Sequence, residues 1–183
     1  VKGASARKKR HSVAATHRAY SADWWTPPEW VRWVRDTLKC EPFDPCPCDW
    51  SPSSEFSGLD HRWESPAYVN HPGAKARGAA QRWWDKYLEE QGKHHGRLEI
   101  VWCAFSVEQL RQLRPSPLEL PGWLVMPRTR TAFVWGGPTK GTRIHDQIAK
   151  SPSNWAIWWT NVEPATPPVE SLIVRTAGCG DEH

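Results

Sequence analysis

No apolar run in this chain approaches the ~20 residues needed to cross a bilayer. The N-terminal stretch is basic and lacks the apolar segment of a secretory signal. Both absences argue against a membrane partner. Cysteine is scarce and odd in number, at five, which fits a reduced cytoplasmic protein better than a disulfide framework. Cys40, Cys46 and Cys48 cluster, with His61 and His71 not far along. Their Cys-x5-Cys-x-Cys spacing matches none of the common zinc arrangements, so no metal is expected. Neither sign of charge dominates: 24 basic against 20 acidic residues leave a net +4. There is no internal repeat.

What is present is an ordinary soluble composition, with 39% hydrophobic and 24% charged residues. A length of 183 residues suffices for one domain with a proper core and is too short for two comfortable ones. Positive charge crowds the first eighteen residues, at Lys2, Arg7, Lys8, Lys9, Arg10, His11, His17 and Arg18. This reads either as a solvated tail or as an arm that adds phosphate contacts to DNA through Lys8, Lys9 and Arg10. The two readings are compatible, because a tail can order on meeting its partner. The fourteen tryptophans belong by default in the core, and some could stack on bases.

Residues 1–20 read as a basic flexible arm, 21–176 as the folded domain and 177–183 as a tail. Thr26-Pro27-Pro28-Glu29 predicts a helix start, with Thr26 as N-cap, Pro27 at the first helical position and Glu29 completing a capping box. Trp30, Val31, Trp33, Val34, Thr37 and Leu38 follow at helical spacing. A short strand is expected to end at Phe43 and another at Tyr68-Val69. Ala80, Trp83, Trp84, Tyr87 and Leu88 mark a second amphipathic helix, closed near Gly92. The apolar run 98–105 has the length of a parallel strand covered on both faces. Ser106 caps a short third helix, with Gln109 at its third position. Later strands are expected at 123–126, 131–135, 155–160 and 172–176. Strands alternating with helices argue for an α/β sheet, mostly parallel, with an antiparallel portion near the end.

Three segments carry the candidate chemistry. The helix start at Thr26-Pro27 offers free backbone N–H groups and a hydroxyl, a seat for a carboxylate, or it merely caps a helix. In Phe43-Asp44-Pro45-Cys46, an acid pinned by prolines at a strand end could meet an amino or ribose hydroxyl group, or it could be an ordinary turn residue. Tyr68-Val69-Asn70-His71-Pro72-Gly73 sets an asparagine at the end of a strand before a turn, where its side chain would stand at the sheet's edge.

Taken in order, these segments resemble the phage DNA N6-adenine methyltransferases. That family carries a Trp-x-Thr-Pro-Pro opening, an Asp-Pro-Ala-like acidic turn, a Gly-Leu…Trp stretch and an Asn-Pro-Pro-Tyr motif. Here they read Trp24-Trp25-Thr26-Pro27-Pro28, Asp44-Pro45-Cys46, Gly58-Leu59…Trp63 and Asn70-His71-Pro72-Gly73. The match covers residues 23–90 well and the downstream strands loosely. No glycine-rich Rossmann fingerprint is present, and the family commonly lacks one. The resemblance implies a single Rossmann-like methyltransferase domain with a mostly parallel sheet. It also implies S-adenosylmethionine as cofactor, DNA as partner and the cytoplasm of a bacterial host cell as location.

By the same resemblance, Thr26, Pro27, Asp44, Pro45 and Asp60 hold the cofactor, and Asn70, His71 and Pro72 form the catalytic segment. The Asn70 side-chain oxygen and the His71 backbone carbonyl accept the two hydrogens of adenine N6 and hold that weak nucleophile in line with the methyl group. Two of the four motif positions depart from the family, at His71 and Gly73. His71 leaves the required backbone carbonyl in place. Gly73 removes the ring that stacks on a flipped base, a contact of ~1–3 kcal/mol. Trp24 and Trp25 are the favoured replacements, ahead of Trp83 and Trp84 on the following helix. The alternatives are a methyltransferase-fold protein without activity that binds nucleic acid or a protein, or a cofactor-using enzyme with another acceptor.

Overall fold

The computed structural model describes residues 24–46, 58–71, 78–131, 133–135 and 156–176. In chain order these form Trp24–Trp25 (β1), Pro28–Leu38 (α1), Ala67–Val69 (β2), Ala79–Lys93 (α2), Ile100–Ala104 (β3) and Val107–Gln112 (α3). A 3-10 turn at Pro117–Glu119 leads to Trp123–Pro127 (β4), Val134–Trp135 (β5), Ile157–Thr160 (β6) and Ser171–Arg175 (β7). The basic arm with Lys8, Lys9 and Arg10, the C-terminal tail, Cys48, Pro72 and Gly73 lie outside the described residues.

The sheet is mixed, in the order β2-β3-β6-β4-β7. β2 and β3 are parallel, while the pairs β3–β6, β6–β4 and β4–β7 are antiparallel. This corrects the expectation of a Rossmann-like, mostly parallel sheet. β2, β3 and β4 run in one direction, but the reversed β6 lies between β3 and β4 and makes both of its contacts antiparallel. β7 then pairs antiparallel along the outer edge of β4. Apolar runs report burial of both faces of a strand and are silent on the direction of its neighbour. β1 and β5 form a separate antiparallel pair, so among the described residues the expected strand at 131–135 contributes Val134–Trp135 and does not join the main sheet.

Strand alternation sorts the core into two layers. Ala67, Val69, Ile100, Trp102, Ala104 and Trp159 pack with Trp83, Trp84 and Tyr87 of α2 and Leu110 of α3. Tyr68, Val101, Cys103 and Trp158 face the other way and pack with Trp30, Trp33, Val34 and Leu38 of α1. Among the described residues, eight tryptophans are buried. Trp30 and Trp158 stack with centroids 3.7 Å apart. The helix α1 is amphipathic as expected, but its N-cap is Pro27, and no side chain caps it. Thr26 therefore does not fill the N-cap role, and the first helical position expected of Pro27 falls to Pro28. The Ser106 cap forms as expected: Ser106 Oγ accepts from Gln109 N at 3.1 Å, and Gln109 Oε1 accepts from Phe105 N at 2.9 Å. No helix among the described residues is long and apolar enough to cross a membrane.

Candidate functional site

The strand expected to end at Phe43 is a single parallel bridge to Ala67, in which Phe43 N donates to Pro66 O and Tyr68 N donates to Phe43 O, both at 2.9 Å. This bridge fixes where the acidic turn lies. Asp44 follows the bridge directly and reaches the cavity that Tyr68 and Asn70 also line. One carboxylate oxygen, Asp44 Oδ1, accepts from Cys46 N at 2.7 Å, an Asx-type turn that sets the direction of the side chain. Gly58 closes the turn from outside, since a Cβ there would strike the Pro45 carbonyl oxygen.

Asn70 follows β2 directly. Tyr68 lies two residues earlier and shares its face of the strand, toward α1. Asn70 Nδ2 donates to Thr26 Oγ1 at 3.1 Å, and Thr26 Oγ1 lies 2.6 Å from the Tyr68 hydroxyl. The Thr26 hydroxyl thus links the segment before α1 to the end of β2. Among the described residues Asn70 Oδ1 carries no hydrogen bond.

Thr26, Asp44, Tyr68 and Asn70 line one cavity of about 210 Å³. Val31, Val34 and Pro42 supply apolar wall, with Cys46 beside Asp44. Arg35 and Glu41 complete the lining and pair with each other at two points, Nε to Oε2 at 2.6 Å and Nη2 to Oε1 at 2.8 Å. Both side chains are well exposed, so this ion pair adds little to stability and exchanges partners cheaply.

Three of the expected site residues, Thr26, Asp44 and Asn70, therefore meet in one cavity despite their separation in the chain. Pro27 and Pro45 are buried beside it and do not line it. Asp60 is exposed on the Gly58–Asp60 turn, away from the lining. His71 points to the opposite face of the strand from Asn70. It is 1% exposed, with its ring 5.2 Å from Trp102 and 6.2 Å from Phe105, and Nε2 lies 3.4 Å from Gln109 Nε2. Trp83 and Trp84 are core residues, packed on Trp63 and Trp102, and are removed as candidate stacking rings. The backbones of Trp24 and Trp25 form β1; their side chains lie outside the description.

Arg35 and Glu41 are lining residues that no motif pointed to, and Tyr68 stood in the third segment without a role assigned to it. For Tyr68 the signal was available in strand alternation, which places it on the Asn70 face. For Arg35 and Glu41 there was none, because an exposed ion pair between a helix and the following loop looks like any solvated surface. Comparison with protein-family models, with curated proteins and with solved structures finds no match to this chain.

Proposed function

We propose that this chain is a methyltransferase of the phage type that uses S-adenosylmethionine and acts on the exocyclic amine of adenine in DNA, in the bacterial cytoplasm. The observation that carries the reading is the convergence of Thr26, Asp44 and Asn70 on one cavity at the carboxyl end of β2.

The donor set suits this cofactor. Its volume of about 210 Å³ is below the roughly 300–1,000 Å³ usual for a whole small-molecule ligand, so the cavity takes one end of the molecule. Asp44 offers a carboxylate to an ammonium or hydroxyl group. Arg35, at the mouth, is the cation available to a carboxylate once it releases Glu41. Val31, Val34 and Pro42 exclude water from the aliphatic part. S-adenosylmethionine, when bound, supplies the electrophilic methyl group. Asn70 holds an unused carbonyl oxygen at the same cavity, ready to accept a hydrogen of the amine and orient its nitrogen lone pair. The backbone carbonyl of His71 is the second acceptor that the family resemblance implies.

The test is transfer of labelled methyl from S-adenosylmethionine to DNA by the protein and by Asn70→Ala. Loss of Asn70 is expected to cut the rate by about a hundredfold while leaving cofactor affinity nearly unchanged. Equal rates in the two proteins would remove Asn70 from the chemistry and the proposal with it.

A further inference from the structure

The two edges of the main sheet differ. At one, Phe43 forms a parallel bridge to Ala67 at the start of β2. At the other lies β7, which pairs with β4 over five consecutive residues without a bulge. Among the described residues no strand or bridge pairs with the outer side of β7. Leu172, Ile173 and Val174 in this strand are 56%, 42% and 41% exposed, and they are the exposed large hydrophobics of the described residues. Neither core layer includes them. Edge strands are usually protected from pairing by an outward charge, a proline or a bulge. The Ser171–Arg175 segment has no proline, and its one charged side chain, Arg175, leans back over the Trp123 ring of β4, 5.5 Å from its centroid.

The backbone shows which groups face outward. Arg128 N donates to Glu170 O, and Thr176 N donates to Gly122 O, both at 2.9 Å. Residues that bond across an antiparallel pair alternate with residues that do not. The even-numbered residues of β7 therefore direct N–H and C=O to β4, and Ser171 and Ile173 direct theirs to the open edge. Leu172 and Val174 stand on the sheet face of Met126 and Leu124, in the α2 layer, and Ile173 on the face of Val125, in the α1 layer.

We propose that β7 is a dimerisation edge: a second copy of this chain lays its own β7 antiparallel against it, about a two-fold axis through Ile173, and continues the sheet across both subunits. The strand is its own complement about that residue. Ile173 meets Ile173 of the second copy and exchanges both backbone bonds with it. Leu172 of each copy meets Val174 of the other, which joins four aliphatic side chains on the α2 face. Ser171 lies opposite Arg175, so no like charges oppose one another. A two-fold contact occupies the same edge on both copies, and with the Phe43 bridge at the far edge the assembly is expected to end at the dimer. This contact does not depend on what the cavity binds.

Sedimentation of the full chain over a range of concentrations is the test. A single strand-to-strand contact is small for a specific interface, so a dimer dissociating in the micromolar range is expected. Ile173→Lys and Ile173→Asp should each be monomeric, because each sets a like charge against itself at the two-fold axis. Mixing the two variants should restore a dimer, since Lys then faces Asp. In the parent chain, with no substitution at all, exchange of the Ile173 amide hydrogen should slow as protein concentration rises. A parent chain that stays monomeric at submillimolar concentration would leave this edge to another partner and overturn the proposal. So would a parent dimer that persists in both variants, or a mixture of the two that stays monomeric.

Discussion

On the α2 side of the sheet the buried polar group is a carboxylate, Glu90, and both of its oxygens are engaged. Lys86 Nζ lies 2.8 Å and Lys93 Nζ 2.7 Å from Oε1, and Trp63 N donates to Oε2 at 3.1 Å. On the α1 side the buried groups are neutral: Thr26 Oγ1 lies 2.6 Å from the Tyr68 hydroxyl and accepts from Asn70 Nδ2 at 3.1 Å, and among the described residues Asn70 Oδ1 carries no hydrogen bond at the edge of the cavity. The first arrangement is closed. Its Lys86 is almost as buried as its acid, and its effect is to tie α2 to the Trp63 turn. The second is open at one end. Asn70 is half-buried, so its oxygen can meet solvent or a ligand at little cost to stability, whereas Glu90 is fully buried and paired; the proposed function rests on the first and the anchoring of α2 on the second.

The sharpest way to break this contrast is Glu90→Ala. It leaves the nearly buried Lys86 with only its longer 3.7 Å contact to Glu89 and should cost about 3 kcal/mol of stability, read as a fall in the urea midpoint. Binding at the cavity should be unchanged in whatever fraction remains folded. A loss of cofactor affinity larger than the loss of folded protein would show that the two faces are coupled.

The same carboxylate gives the contrast a pH signature. Burial alone would raise the Glu90 pKa, but hydrogen bonds from Lys86, Lys93 and the Trp63 amide outweigh it and bring it down to about 2 from the ordinary 4.5. A depressed carboxylate pKa stabilises the fold above the unfolded value, and that contribution fades as pH falls from about 4.5 toward 2. Urea midpoints measured across this window should drop steeply in the parent protein and more shallowly in Glu90→Ala. Parallel curves would mean that other groups govern acid unfolding.

The smallest effect is expected from the basic arm, whose residues lie outside the described ones. Deleting residues 1–18 should leave the urea midpoint within about 0.5 kcal/mol of the parent while flattening the dependence of DNA affinity on salt. An unchanged salt slope would assign the arm to solvent rather than to DNA.

Much of the local structure was legible because it follows from short-range chemistry. The Trp30, Trp33, Val34, Leu38 spacing declared α1, Ser106 with Gln109 declared a cap, and the run at 98–105 declared a strand buried on both faces. Asp44 and Asn70 were legible as strand-end residues, and both line the cavity. The direction of β6 was not legible, since alternation and apolarity read the same in either orientation, and the expected parallel sheet failed on that point. Nor was the role of Thr26. A hydroxyl before Pro-Pro has the pattern of a cap, and only the arrival of Tyr68 and Asn70 from distant positions takes that hydroxyl for a tertiary link. Asp60 shows the converse limit: the motif was present, but its turn carries the side chain into solvent.

The most direct measurement is calorimetric titration of S-adenosylmethionine into the full chain and into Asp44→Ala, a substitution in the lining of the cavity and outside the Asn70 chain. The parent protein is expected to bind with micromolar affinity, and Asp44→Ala should weaken binding by about 1–3 kcal/mol through an unpaired polar group on the cofactor. An absence of heat and of thermal stabilisation at millimolar cofactor, or an affinity indifferent to Asp44, would contradict the assignment of the cavity as the cofactor seat.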